Sequence, residues 1–262
     1  MVEETATKKV ILEKNKRVGI ITLSNGEMNV FDKDLVIQFR DLLLELEKDD
    51  KTRVILIQGS GVRAFSAGFD LKNPAKEFYI RYGKEIIHRL YYLPKPTIAL
   101  IHGYAIGIGC IVTLACDFRY TTEDASLSLP EINYSIMYPT HGGTTILSKL
   151  VRKPSDAKYM LYTGERIPAN QASQMGLIDA IFKTKDNMFN AGMEFAQKLS
   201  AKDPIVLSLI KVGLKKCEFA DLKHGMEIES EAALIVDRGP KVSKEEQLEQ
   251  ARKFIEKYSE KY

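Results

Sequence analysis

Three glycines and one glutamate carry the chemistry most readily seen in the chain. Thr97 to Ile101 is a short, branched apolar run preceded by Pro94 and Pro96, and it reads as a buried strand. Gly103, Gly107 and Gly109 follow, and then Ile111 to Ala115, apolar throughout and of helical character. A strand that turns through glycines into a helix aims unpaired backbone N–H groups, and the positive end of the helix dipole, at one point. That point holds an anion, or an oxygen that becomes negative during a reaction. Glu131, in Ser126-Leu-Ser-Leu-Pro-Glu-Ile132, is an isolated acid after a proline between apolar segments. Leu129 and Ile132 predict a half-buried position, where a carboxyl pKa rises toward that of a useful base. The other reading, a solvated loop Glu or a helix-cap partner, is the one the local residues alone favour.

Two further patterns compete. Gly59-Ser-Gly-Val-Arg-Ala64 follows a strand and matches G-x-G-x-x-A. The Phe65 to Pro74 stretch interrupts the helix that a dinucleotide site needs, and no second strand ending in an acid follows at the right distance. Ser66, Asp117 and His141 occur in the order of a hydrolase triad, and Ala64-Phe-Ser-Ala-Gly68 approaches G-x-S-x-G. A nucleophile elbow sits at the tip of a strand-to-helix turn, whereas Ser66 falls several residues past its strand, in a loop predicted over 59–74. His and Cys positions show no metal-ligand spacing.

The elements that must position these groups alternate. Lys9–Glu13 and Arg17–Leu23 predict a hairpin across Lys14-Asn15-Lys16. Asp32 or Asp34 caps a helix over 33–48, on which Leu35, Phe39, Leu42, Leu43 and Leu46 share a face. Strands are predicted at 53–58, 97–101, 117–121, 125–129 and 178–182, and helices at 77–92, 143–151, 155–162 and 168–175. This is an α/β pattern with parallel strands that are not neighbours in sequence. From 186 on only helices follow, at 186–200, 204–216, 220–236 and 243–258. Asp203-Pro204 supplies a cap with Pro in the first turn, and Ser243 with Glu246 a capping box. Such a tail is expected to pack on the body and on a neighbouring subunit.

At 262 residues, 45% apolar and 28% charged, the chain can bury roughly three quarters of its unfolded surface without disulfides or metals. The net charge of +3 gives no nucleic-acid footprint. Three cysteines, Cys110, Cys116 and Cys217, fit a reduced, cytoplasmic protein. No apolar run reaches membrane-spanning length, and the first residues have no apolar leader core.

Arg63-Ala-Phe-Ser-Ala-Gly-Phe-Asp-Leu71 and His102-Gly-Tyr-Ala-Ile-Gly-Ile-Gly-Cys110 through Asp117, taken together, resemble the crotonase superfamily, the enoyl-CoA hydratase/isomerase family. Leu129-Pro-Glu-Ile132, Gly142-Gly-Thr144, Tyr162-Thr-Gly-Glu-Arg-Ile167, Ala172 to Leu177 and Phe254 to Lys257 extend the likeness over nearly the whole chain. The resemblance implies a spiral of ββα units over residues 1–200 holding an acyl-CoA site, and a helical oligomerisation region over 201–262. It implies a homotrimer or a dimer of trimers, with no nucleic acid, membrane, metal or separate cofactor, coenzyme A being part of the substrate.

Residue by residue, the likeness assigns the oxyanion hole to the N–H groups of Ala67 and Ile108 and catalysis to Glu131. Arg63, Ala64, Ala67, Gly68, Phe69, Asp70, Leu71, Gly107, Pro130 and Tyr134 are expected to line the CoA and acyl groups, with Met137 and Tyr138 adding bulk. Hydratases of the family use a second glutamate where this chain has Ile111. Δ3,Δ2-enoyl-CoA isomerases have an aliphatic residue there and a single Glu, as here. The resemblance therefore points to movement of a double bond, with hydration as the alternative and a non-catalytic binding protein as a third reading. His141, in a segment one residue longer than usual, stands either at the acyl pocket as a second proton-transfer group or at a helix entry facing solvent.

Overall fold

Two sheets interleave along the chain. The computed structural model describes residues 7–72, 75–134, 138–236 and 243–259. The first strands, β1 (Val10–Asn15) and β2 (Val18–Leu23), form the hairpin, with Lys16 in the left-handed region at its turn. Helix α1 (Lys33–Lys48) is capped by Asp32, whose carboxylate accepts from the Leu35 N–H. Three units then repeat one step. β3 (Val54–Gly59), β5 (Thr97–Ile101) and β7 (Phe118–Thr122) enter one sheet, while β4 (Ala64–Ser66), β6 (Tyr104–Ile106) and β8 (Ser126–Ser128) enter the other. Helix α2 (Lys76–Tyr92) closes the first unit and α3 (Ile108–Ala115) the second.

Beyond a 3-10 turn at Pro130–Asn133 come α4 (Thr145–Leu150), α5 (Pro154–Thr163), β9 (Ile167–Pro168), α6 (Ala169–Gln174) and β10 (Ala180–Phe182). The larger sheet runs β1-β2-β3-β5-β7-β10, all parallel after the first pair, and the smaller runs β4-β6-β8-β9 with only the last pair antiparallel. Parallel pairing of successive strands needs a crossover, and here the short strand and its helix supply it.

The larger sheet is covered on both faces, which explains its continuous apolar runs. Val18, Ile20, Val54, Leu56, Ile98 and Leu100 pack against Met188, Met193 and Ala196 of α7 (Lys185–Ser200). Their alternates Ile21, Ile55, Ile57, Ala99 and Ile101 face the main core with Phe39, Phe65 and Val112. The last helices, α8 (Pro204–Cys217), α9 (Leu222–Val236) and α10 (Lys244–Tyr258), build a cluster of their own around Val212, Ile228 and Phe254. The caps expected at Asp203 and Ser243 are present, the second as a full capping box. The stretch predicted as one loop over 59–74 contains β4, so Ser66 lies in a strand rather than past one. No helix among the described residues is long and apolar enough to cross a membrane.

Candidate functional site: a glutamate between two backbone turns

β4 and β6 lie side by side and each ends in a glycine turn. After β4 comes Gly68, at φ 94°, and after β6 comes Gly107, at φ 54° and ψ −125°. Both conformations are open to glycine and strained for any other residue. The turns touch: a Cβ placed on Gly107 would lie 4.0 Å from the Gly68 Cα and 3.6 Å from Glu131 Oε1. Gly109 admits the first strand to the helix that follows the second, since a Cβ there would meet the Ser66 carbonyl oxygen at 2.6 Å. The two turns and Glu131 thus converge.

Hydrogen bonding decides which N–H groups remain open. The Ala67 N–H donates to the Met28 carbonyl at 2.9 Å, the Gly68 N–H to Ser66 Oγ at 3.2 Å, and the Asp70 N–H to the Phe31 carbonyl at 3.1 Å. Ala67 therefore cannot serve as an oxyanion donor, contrary to the assignment from the motif. Between these bonded groups the Phe69 N–H has no partner among the described residues, and it is the open donor of this turn. On the second turn Ile108 begins α3, with no side chain capping its N-terminus. The Gly107 N–H is taken by the Ser128 carbonyl at 2.9 Å, whereas the Ile108 N–H has no partner among the described residues and lies at the positive end of the helix. Which N–H is free depends on the carbonyls of residues 28 and 31, about forty positions upstream, and no residue type announces it.

Glu131 is positioned from three sides. β8 leads into the 3-10 turn that carries it, and the Ser128 bond to Gly107 ties that strand to the N-terminus of α3. The C-terminal end of α5 supports the turn, Gly164 at φ 62° sitting so close that a Cβ would contact Pro130 Cα at 3.2 Å. Glu131 Oε2 is buried with no hydrogen-bond partner among the described residues, and burial raises the carboxyl pKa above its ordinary value, its own backbone N–H offsetting this in part. The half-buried position expected for this acid is present, although Ile132 points outward at 55% exposure and only Leu129 closes the apolar side. Ile111 is one turn into α3, fully enclosed, its N–H donating to the Gly107 carbonyl. No second carboxylate occupies that position.

The other expected lining residues divide. Phe69 stacks on Tyr79 with ring centroids 4.5 Å apart, and Leu71 is 49% exposed at the rim. The Asp70 carboxylate accepts the Lys72 N–H, turning the loop back. Ala64 is wholly enclosed in β4, and its carbonyl accepts from Asn29 Nδ2 at 2.8 Å, while the Arg63 guanidinium sits at the surface on Glu27 at 2.5 Å. Tyr134 and Tyr138 are exposed, and Met137 lies outside the described residues. His141 is only partly exposed, and its ring is turned onto α2. Its Nε2 donates to the Tyr79 carbonyl at 3.0 Å, so Nδ1, 2.6 Å from Thr140 Oγ1, accepts that hydroxyl, and burial lowers its pKa. Both ring nitrogens are committed, which leaves none for a second proton-transfer role. Among the described residues no cluster of His, Cys, Asp and Glu could hold a metal ion.

Two adjoining turns with open N–H groups beside a desolvated carboxylate suit a reaction that draws a proton from carbon next to a carbonyl and parks the charge on oxygen. Comparison with known proteins identifies the family. The family model for enoyl-CoA hydratase/isomerase matches residues 13–262. The short-chain-enoyl-CoA hydratase of Clostridium acetobutylicum is 30% identical over 256 residues, 95% of either chain. A putative enoyl-CoA hydratase/isomerase of Bacillus subtilis, YngF, is 35% identical over 226 residues, 84% of this chain and 86% of that one. The crystal structure of an enoyl-CoA hydratase from Bacillus anthracis superposes with a TM-score of 0.83 at 30% identity, covering 97% of this chain and 99% of that one. The chain belongs to the enoyl-CoA hydratase/isomerase family and has the crotonase fold.

Proposed function

We propose that this enzyme moves the double bond of an enoyl-CoA from Δ3 to Δ2, with Glu131 as the only acid–base group and the Phe69 and Ile108 N–H groups holding the thioester oxygen. The observation that carries this reading is the buried, unpartnered Glu131 Oε2 with Ile111, not a carboxylate, one turn into α3. Removing a proton from C2 sends the electron pair into a dienolate whose charge rests on the thioester oxygen. Return of that proton to C4 regenerates both the double bond, now at Δ2, and the carboxylate. One carboxylate suffices, first as base and then as acid, and no water takes part. Adding water asks for more, since the water must lose a proton while C2 gains one. An oxyanion donor is worth roughly 10²–10³ in rate, and a desolvated base adds to it.

Hydration is the alternative, and what favours it is the naming of relatives, several of which are described as hydratases. The reading extends to assembly. Ile210, Leu214, Leu222 and Met226 leave an exposed apolar face on α8 and α9, suited to other copies in a trimer, with 201–262 as the oligomerisation region. Parallel assays with a 3-enoyl-CoA and with crotonyl-CoA test the choice. Isomerisation is expected to exceed hydration by at least tenfold in kcat/KM, and dominant hydration of crotonyl-CoA would reject the isomerase reading.

A further inference from the structure

Three aromatic rings close on one another beside the open N–H of Phe69. The Phe69 ring stacks on Tyr79 at 4.5 Å and receives the edge of His141 at 5.6 Å, with 72° between planes. His141 in turn bonds through Nε2 to the Tyr79 carbonyl at 3.0 Å and reaches the Ile80 carbonyl at 3.3 Å. Gly83 lies beneath all of this. A Cβ on Gly83 would stand 2.7 Å from His141 Nε2 and 2.8 Å from Phe69 Cζ, so the helix surface is cut away where the two rings enter. His141 also holds φ 60°, a left-handed conformation that costs a residue with a Cβ. A strained backbone, a glycine floor and two committed ring nitrogens meet at a residue with no free group for chemistry.

We propose that His141 is a positioning residue of the oxyanion site: its ring, seated on Gly83, wedges residues 138–143 onto α2 and clamps the Phe69 ring against Tyr79, which fixes the direction of the Phe69 N–H. This rests on Phe69 being the oxyanion donor. The side chain of a donor residue is a lever on its own peptide plane, and a ring packed against both Tyr79 and His141 resists rocking of that plane. Misplacement of a donor by about an ångström costs up to about 10²-fold in rate, while ground-state contacts to the CoA moiety are untouched.

His141→Gly removes the ring and suits the left-handed backbone, so it is expected to fold. Gly83→Ala keeps the His141 side chain but pushes it and Phe69 off their seat, and favours the helix. Both are expected to lower kcat about tenfold or more with KM within twofold. The reporting probe is butyryl-CoA carrying a 13C-labelled thioester carbonyl, followed by infrared difference spectroscopy. Its carbonyl stretch is expected to fall on binding to the unaltered enzyme and to fall less in either variant. Variants that keep the full carbonyl shift and kcat, whatever happens to Tm, overturn the positioning role while leaving the oxyanion assignment in place. A rise in KM at constant kcat overturns it also. Absence of any carbonyl shift in the unaltered enzyme overturns the oxyanion assignment and the positioning role with it.

Discussion

At the scale of single residues, a buried carboxylate oxygen without a hydrogen bond is costly to keep, and among the described residues Glu131 Oε2 has no partner. Burial raises its pKa, so deprotonating it works against the fold: the stability it withholds is lost as pH rises from the unfolded value of 4.5 through the higher folded value. Glu131→Gln is therefore expected to raise Tm at pH 7 while lowering turnover by about 10²–10⁴, with acyl-CoA binding retained in calorimetry. The same shift places the acid limb of kcat/KM above the ordinary carboxyl range, which a pH–rate profile reads directly. Ile111 is the complementary residue. Ile111→Glu puts a second carboxylate one turn into α3, and is expected to raise hydration of crotonyl-CoA at some loss of stability, because a charge enters a fully enclosed position. No rise in hydration would mean that the missing carboxylate is not what limits that reaction.

At the scale of elements, the site is two copies of one device, a short strand ending in a glycine turn. Only part of this could be read from sequence. The runs Val54–Gly59 and Thr97–Ile101 and the capped helices α1, α8 and α10 announce themselves by periodicity and capping residues. β6 and β9, three and two residues long, do not, because a pattern of period two needs more residues than they have. Their strand character comes from pairing with β4 and β8, which is a tertiary fact. Glu131 and the Ile108 turn were legible because a proline and three glycines mark them. The Phe69 donor was not, because a bond between Ala67 and Met28 decides it. Gly107 is where the second device is most sensitive. At φ 54° and ψ −125° a Cβ costs roughly 1–3 kcal/mol, and it would also stand 3.6 Å from Glu131 Oε1. Gly107→Ala is expected to lower both Tm and kcat, the latter by about 10²-fold or more, as measured by thermal melting and single-turnover kinetics. A variant that loses stability alone would separate the turn from the chemistry.

At the scale of the whole molecule, the C-terminal helices must be fastened to the spiral core, and one of the links is a buried cation. Lys211 of α8 is 5% exposed, and its Nζ lies 2.8 Å from Asp117 Oδ2 and 2.8 Å from the Lys95 carbonyl, at the start of β5. Asp117 stands where β7 begins and also accepts the Thr97 N–H at 2.8 Å and its hydroxyl at 3.0 Å. The ends of two core strands and the first helix of the terminal layer therefore share one carboxylate. Desolvation lowers the Lys211 pKa, and Asp117 opposes the shift. Asp117→Ala leaves Lys211 buried without a counter-ion and deprives the Thr97 N–H and hydroxyl of their acceptor, which is expected to cost about 3–5 kcal/mol. Lys211→Met leaves Asp117 with both Thr97 donors and replaces a buried charge by apolar volume, a change expected to cost less than half as much. Urea denaturation of the two variants checks the ranking, and hydrogen exchange locates it. The amides of 204–217 are expected to lose protection in Asp117→Ala before those of β3 and β5 do, because the terminal cluster around Val212 and Phe254 has its own core and can open by itself. Uniform loss of protection across both regions would mean instead that the ion pair stabilises the molecule as one cooperative unit.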